Sequence, residues 1–197
     1  MTLHCLFYSH VWTVHMLKNL KLGDWDKTVL VELAVNSNLA PVFGMQGKPR
    51  YGLSGMLRLG AKLEQLGQTY KYVPAPLLLA PQPNIPAAAL CSAVGLTASS
   101  PSIYENVVLL VHVSEAPQFT DAYAYVNHFS IVWDIADPPT QSLVTLAEVL
   151  MANGCVSQES WKGFILYQHP NRVLADAQAR RKALESVLQD YPLLAAR

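Results

Sequence analysis

The sequence predicts an α+β chain, mostly helical, in which a short βαβ unit is followed by a large helical insertion. Three observations carry this. Strand, helix and strand patterns follow one another within the first 35 residues, the usual opening of a parallel sheet. Helical spacing then dominates most of the remaining chain. The 197 residues are 51% hydrophobic and only 14% charged. That is apolar surface enough for one domain with a real core and far too much for a disordered chain.

Taken in order, residues 3–9 form an apolar run carrying Phe7 and Tyr8, the pattern of a strand. Residues 11–22 place Val11, Val14, Met16, Leu17 and Leu20 at helical spacing, and Gly23 follows as a stop signal. Residues 28–35 alternate weakly and are rich in β-branched side chains, which predicts a second strand. Residues 51–66 put Leu53, Met56, Leu57, Leu63 and Leu66 on one helical face, with Gly67 at the end. A proline-rich, leucine-rich extended loop occupies 70–86, and a helix with proline in its first turn covers 86–94.

Residues 102–113 and 120–133 are further helical candidates, although Val107–Val111 could equally be a buried strand. Asp137-Pro138-Pro139-Thr140 marks a turn ahead of a helix over 142–152. Ser157 is expected to cap a short helix through Tyr167. Residues 170–188 carry the clearest pattern. Val173, Leu174, Ala177, Leu184, Val187 and Leu188 face inward, and Arg172–Asp176, Asp176–Arg180 and Arg181–Glu185 pair outside at i,i+4. The expected organisation is a βαβ half over 1–50, a helical insertion over 51–168, and a return helix with tail over 169–197, in one compact unit. No internal repeat is present.

Fourteen basic and fourteen acidic residues cancel, which argues against a nucleic-acid binder. Their placement is uneven. Residues 72–161 hold seven acids and no Lys or Arg. A surface of that kind either faces another protein or reflects an Ala/Val/Pro-rich composition. The uncharged run from Val73 to Tyr104 is broken by six prolines, so no membrane-spanning helix is expected. Cys5, Cys91 and Cys155 show neither CxxC nor zinc spacing, which suggests inert thiols in a reducing compartment.

The six histidines contain no HxxxH or HExxH pair, so no metal site is expected. No GxGxxG, GxxxxGK or GxSxG sequence occurs. Gly44-Met45-Gln46-Gly47-Lys48 lacks the glycine spacing and the Ser/Thr of a phosphate loop and is rejected as one. Asp134, Asp137 and Glu148 could serve as acids for catalysis, but Asp137 before two prolines is more simply a turn residue.

Several short motifs together resemble the kappa-class glutathione transferase and 2-hydroxychromene-2-carboxylate isomerase family. They are Lys48-Pro49-Arg50-Tyr51 with Arg58 and Gly67, then prolines and Asn84 before an Ala-rich helix. Val132-Trp133-Asp134-Ile135-Ala136-Asp137-Pro138 comes next, with Leu146-Ala147, Gly154 and the helix from Pro170. The resemblance covers residues 6–188. It implies a DsbA-like thioredoxin fold with a helical insertion, and mitochondria or peroxisomes as the setting. The acid-poor N-terminus leans to mitochondria.

The departures from that family shape the functional expectation. Its Ser-Pro-Tyr turn, whose serine activates the glutathione thiol, is replaced by Ser9-His10-Val11-Trp12-Thr13, and the helix aspartate is Gly55. The family's later Val-Pro strand has no counterpart before Arg197, so the resemblance implies a degenerate and C-terminally truncated version. Its open sheet edge would need covering by a neighbouring subunit. The expectation is a non-catalytic accessory or structural subunit of a larger protein assembly, with no cofactor. The alternative is a glutathione-dependent transferase or isomerase. Ser9 or Thr13 would then hold the thiolate, and Lys48, Tyr51 and Asn84 would contact glutathione.

Overall fold

In the computed structural model the described residues are 1–9, 17, 24–35, 39, 77–79, 86–99, 103–137, 141–153, 156–168 and 175–194. They build a seven-stranded sheet from β1 (Thr2–Tyr8), β2 (Thr28–Leu33), β3 (Leu77–Leu79), β4 (Asn106–His112), β5 (His128–Asp134), β6 (Trp161–Tyr167) and β7 (Leu193–Leu194). The strand order is β3-β2-β4-β1-β5-β6-β7, and every neighbouring pair is parallel. The helices are α1 (Ala87–Ser99), the single turn α2 (Thr120–Tyr123), α3 (Gln141–Ala152) and α4 (Ala177–Val187).

This architecture corrects the expected fold class. The chain is an α/β protein on a parallel sheet, not a mostly helical one with a βαβ remnant, and strands from 1–50, 51–168 and 169–197 all enter that sheet. The strands over 3–9 and 28–35 were legible, as were the helices that became α1, α3 and α4. The helices expected over 102–113, 120–133 and 157–167 are corrected to β4, to α2 with β5, and to β6. The physical cause is burial on both faces. Such strands become continuous apolar runs, and periodicity cannot separate them from buried helix. The helices expected over 11–22, apart from Leu17, and over 51–66 lie outside the described residues.

Alternation along β1 divides the core. Leu3, Cys5 and Phe7 face the layer that includes Leu90 and Val94 of α1, Tyr123 of α2 and Leu150 of α3. Leu6 and Tyr8 face the opposite layer, with Leu17, Leu30, Leu39 and Val108. The Phe7 ring stacks on Phe129 at 6.2 Å and meets Tyr123 edge-on at 5.6 Å. Each such aromatic pair adds about 1 kcal/mol beyond the area it buries. Cys5 and Cys91 are buried, and burial pushes both thiols up, as inert core thiols should behave.

α1 contains no charged residue, and its hydroxyls are satisfied within the helix. Ser92, Thr97 and Ser99 donate to the carbonyls of Ala88, Ala93 and Gly95. On α4, Leu184 and Leu188 are buried as expected, and the Asp176–Arg180 and Arg181–Glu185 pairs form. Val187 is 44% exposed rather than inward-facing.

Candidate functional site at the carboxyl edge of the sheet

In an open parallel sheet, ligands bind outside the carboxyl ends of the strands where the chain reverses its direction of winding. Here the chain runs from β1 to β2 and β3 on one side and from β4 to β5, β6 and β7 on the other, so the reversal lies between the adjacent strands β1 and β4. β1, β2, β4 and β5 end on or beside polar residues after apolar runs: Tyr8-Ser9, Glu32, His112 and Asp134. These residues converge because parallel strands in register end together. Tyr8 pairs with His112, and Glu32 with Leu110.

The β1–β2–β4 half is built around Tyr8. Its ring meets His112 edge-on at 5.4 Å. His112 donates from Nε2 to the Ser9 carbonyl (2.8 Å), and its Nδ1 accepts from the Ser114 hydroxyl (2.7 Å). Those partners assign the Nε2–H tautomer. Glu32 is fully buried, and its Oε1 accepts from the Leu39 amide at 3.0 Å. Glu115 accepts from the Val35 amide at 3.1 Å, tying the exit of β4 to the exit of β2. Burial, and then the charges of Glu32 and Glu115, push the Tyr8 phenol well above its ordinary range. The Tyr8 hydroxyl and the Ser9 Oγ are buried without a hydrogen-bond partner.

The β5–β6 half is shaped differently. Asp134 is buried and accepts from the Ala136 amide at 2.9 Å, and the Ile135 amide donates to the Tyr167 carbonyl. Arg180 donates to the Ala136 carbonyl at 3.1 Å and pairs with Asp176. Next to these lies a cavity of about 260 Å³ lined by Ile135, Leu166, Tyr167, Gln168, Gln178 and Arg181. Burial, then the Asp134 charge, raise the Tyr167 phenol. Glu148 stands apart from these acids, accepting from Tyr191 at 3.1 Å.

Of the residues singled out from sequence, Ser9 lies at this edge. Thr13, Lys48, Tyr51 and Asn84 lie outside the described residues. Sequence reasoning passed over Glu32, Tyr8, His112 and Glu115. A signal was present, because Glu32 is the one acid inside an otherwise apolar strand and His112 closes an apolar run. Among the described residues no group of three or more His, Cys, Asp or Glu is placed to hold a metal ion. Among them, too, no helix is long and apolar enough to cross a membrane.

No protein-family model and no curated protein matches the chain. Solved structures do resemble it. MinD in the MinC:MinD cell division complex of Aquifex aeolicus superposes with a TM-score of 0.63 at 16% identity, covering 98% of this chain and 82% of that one. A ParA family ATPase from Chlorobium tepidum gives 0.62 at 12% identity, covering 98% and 82%. The septum site-determining protein MinD of Pyrococcus horikoshii, complexed with Mg-ADP, gives 0.59 at 18% identity, covering 99% and 80%. At these identities the likeness shows the fold, which is that of the MinD and ParA proteins. It overturns the resemblance to kappa-class glutathione transferases and the DsbA-like thioredoxin fold. With that fold go both functions drawn from it, the transferase-derived accessory subunit and the glutathione enzyme.

Proposed function

We propose that this chain is a positioning protein on the MinD/ParA type of fold, working through contacts with protein partners and without turnover of a nucleoside triphosphate. The observation that carries this reading is the segment after β1. A phosphate-cradling loop there needs glycines, so that backbone amides can approach the phosphates, and a lysine to meet their charge. Residues 9–16, Ser9-His10-Val11-Trp12-Thr13-Val14-His15-Met16, contain neither. The same edge of the sheet carries Glu32 and Glu115, and carboxylates repel a triphosphate unless a metal ion intervenes.

Two supports favour protein contacts as the working principle. One structurally similar MinD is a component of a complex with MinC. The stretch 72–161 holds no Lys or Arg, the composition expected of surface that is covered rather than solvated.

The test is a titration of the full chain with a fluorescent ATP analogue and Mg²⁺, alongside a hydrolysis assay and size exclusion of native extract. The expected result is no saturable binding at millimolar nucleotide, no hydrolysis, and elution well above 21.7 kDa. Turnover of ATP would make the protein an ATPase and end this reading, and micromolar nucleotide binding or elution as a free monomer would equally sink it.

A second reading is favoured by the cavity of about 260 Å³ at the β5–β6 edge, a mixed apolar and polar concavity that suits a small ring-bearing ligand. Nucleosides that shift the resonances of Tyr167 and Gln168 without any phosphate requirement would support it.

A further inference from the structure

At the opposite, amino end of the sheet two histidines 124 positions apart in sequence become neighbours. His4 on β1 and His128 on β5 are direct register partners, so their side chains leave the same face of adjacent strands. Their ring centres are 5.0 Å apart with the planes tilted by 55°. Both residues are half-buried and so remain open to solutes.

We propose that His4 and His128 form the protein half of a binding site for one divalent transition-metal ion of the kind imidazole favours, Zn²⁺, Ni²⁺ or Cu²⁺. With metal–nitrogen bonds of about 2.1 Å, two imidazoles sharing one ion hold their ring centres roughly 5 Å apart. The observed 5.0 Å between ring centres matches that spacing. Imidazole nitrogen is a favoured donor for all three ions, and water fills the remaining coordination positions.

A further feature suits the role. The Asn106 side chain on β4 hydrogen-bonds His4 in the sense that stabilises its protonated form, so its carbonyl oxygen accepts from one ring nitrogen. The other nitrogen is left with its lone pair, and a ligating histidine is commonly anchored in this way by a second hydrogen bond. Burial, then the nearness of His128, lower His4 to about 4, and burial, then Lys162, lower His128. Lys162 is the cation facing His128 among the described residues, and its ammonium donates to the Glu159 carbonyl at 3.1 Å.

The experiment is a calorimetric titration of the full chain with ZnCl₂ at pH 7.5, repeated on His4→Gln, His128→Gln, the double variant and Asn106→Leu. Each protein is checked by its urea midpoint. One ion per chain is expected, with each single histidine change weakening binding by about tenfold or more, the double change abolishing it, and Asn106→Leu costing about tenfold. Histidine-ring NMR of the wild type provides a readout that requires no variant to fold, because Zn²⁺ should move His4 and His128 together and leave His112 in place. No uptake at millimolar Zn²⁺, undiminished uptake by a folded double variant, or shifts at other histidines instead would overturn the proposal.

Discussion

Gly163 on β6 and Pro192 ahead of β7 meet so closely that a Cβ at position 163 would lie 2.0 Å from the Pro192 carbonyl oxygen. The backbone there has φ +109°, open to glycine and strained for other residues. The same carbonyl accepts from the Phe164 amide at 2.8 Å. Absence of a side chain at one position is what allows the C-terminal segment to join the sheet.

Replacing Gly163 by Ala should therefore cost about 3 kcal/mol or more, the sum of strained φ and a clash with backbone that cannot swing aside. Urea unfolding checks this, and an unchanged midpoint would show that the β6–β7 contact adds nothing to stability.

Gly95 on α1 offers the contrast. A Cβ there would come within 2.8 Å of the Tyr125 ring, but Tyr125 is 45% exposed and its ring can rotate outward. Gly95→Ala gains helix propensity of about 1 kcal/mol against that displacement. The expected unfolding midpoint lies within about 1 kcal/mol of wild type. A loss as large as that at Gly163 would mean the ring is held in place.

Tyr8 carries a buried hydroxyl without a partner. Tyr8→Phe removes an unsatisfied group while keeping the ring against His112, so stability should hold or rise by about 1 kcal/mol. A clear drop in thermal midpoint would reveal a hydrogen bond made by that hydroxyl.

Glu32 behaves in the opposite way. Its carboxylate accepts from the buried Leu39 amide, and Glu32→Ala leaves that amide unpaired at a cost of about 2 kcal/mol. Faster hydrogen exchange at Leu39 in the variant is the specific sign. Unchanged exchange would assign the burial of Glu32 to other contacts.

Asn127 clamps the start of β1 from both sides, its Oδ1 accepting from the Leu3 amide at 2.8 Å while its own amide donates to the Leu3 carbonyl at 2.9 Å. Asn127→Ala removes the first of these and should lower stability by about 1 kcal/mol. Wild-type stability in that variant would count against the clamp.

Much of the fold was within reach of the sequence, and the rest fails for identifiable reasons. The apolar run of residues 3–9 and the weakly alternating, β-branched run at 28–35 announce β1 and β2. The i,i+4 charge pairs announce α4. By contrast, Phe129–Trp133 and Phe164–Leu166 are apolar almost throughout because helices or chain cover both faces of the sheet. A strand buried on both sides carries no period, so β5 and β6 read as helix and draw the fold toward the wrong family.

Sequence alone determined that this chain has a substantial core, that strands lie over residues 3–9 and 28–33, and that residues 9–16 lack the glycines and lysine of a phosphate loop. Those properties depend on composition and on neighbours in the chain. Tertiary structure decided which residues share a site. Parallel pairing sets β1 between β4 and β5, bringing Tyr8 to His112 at one end of the sheet and His4 to His128 at the other. Each pair is separated by more than a hundred residues, and only strand register, with its fixed spacing across the sheet, makes them neighbours.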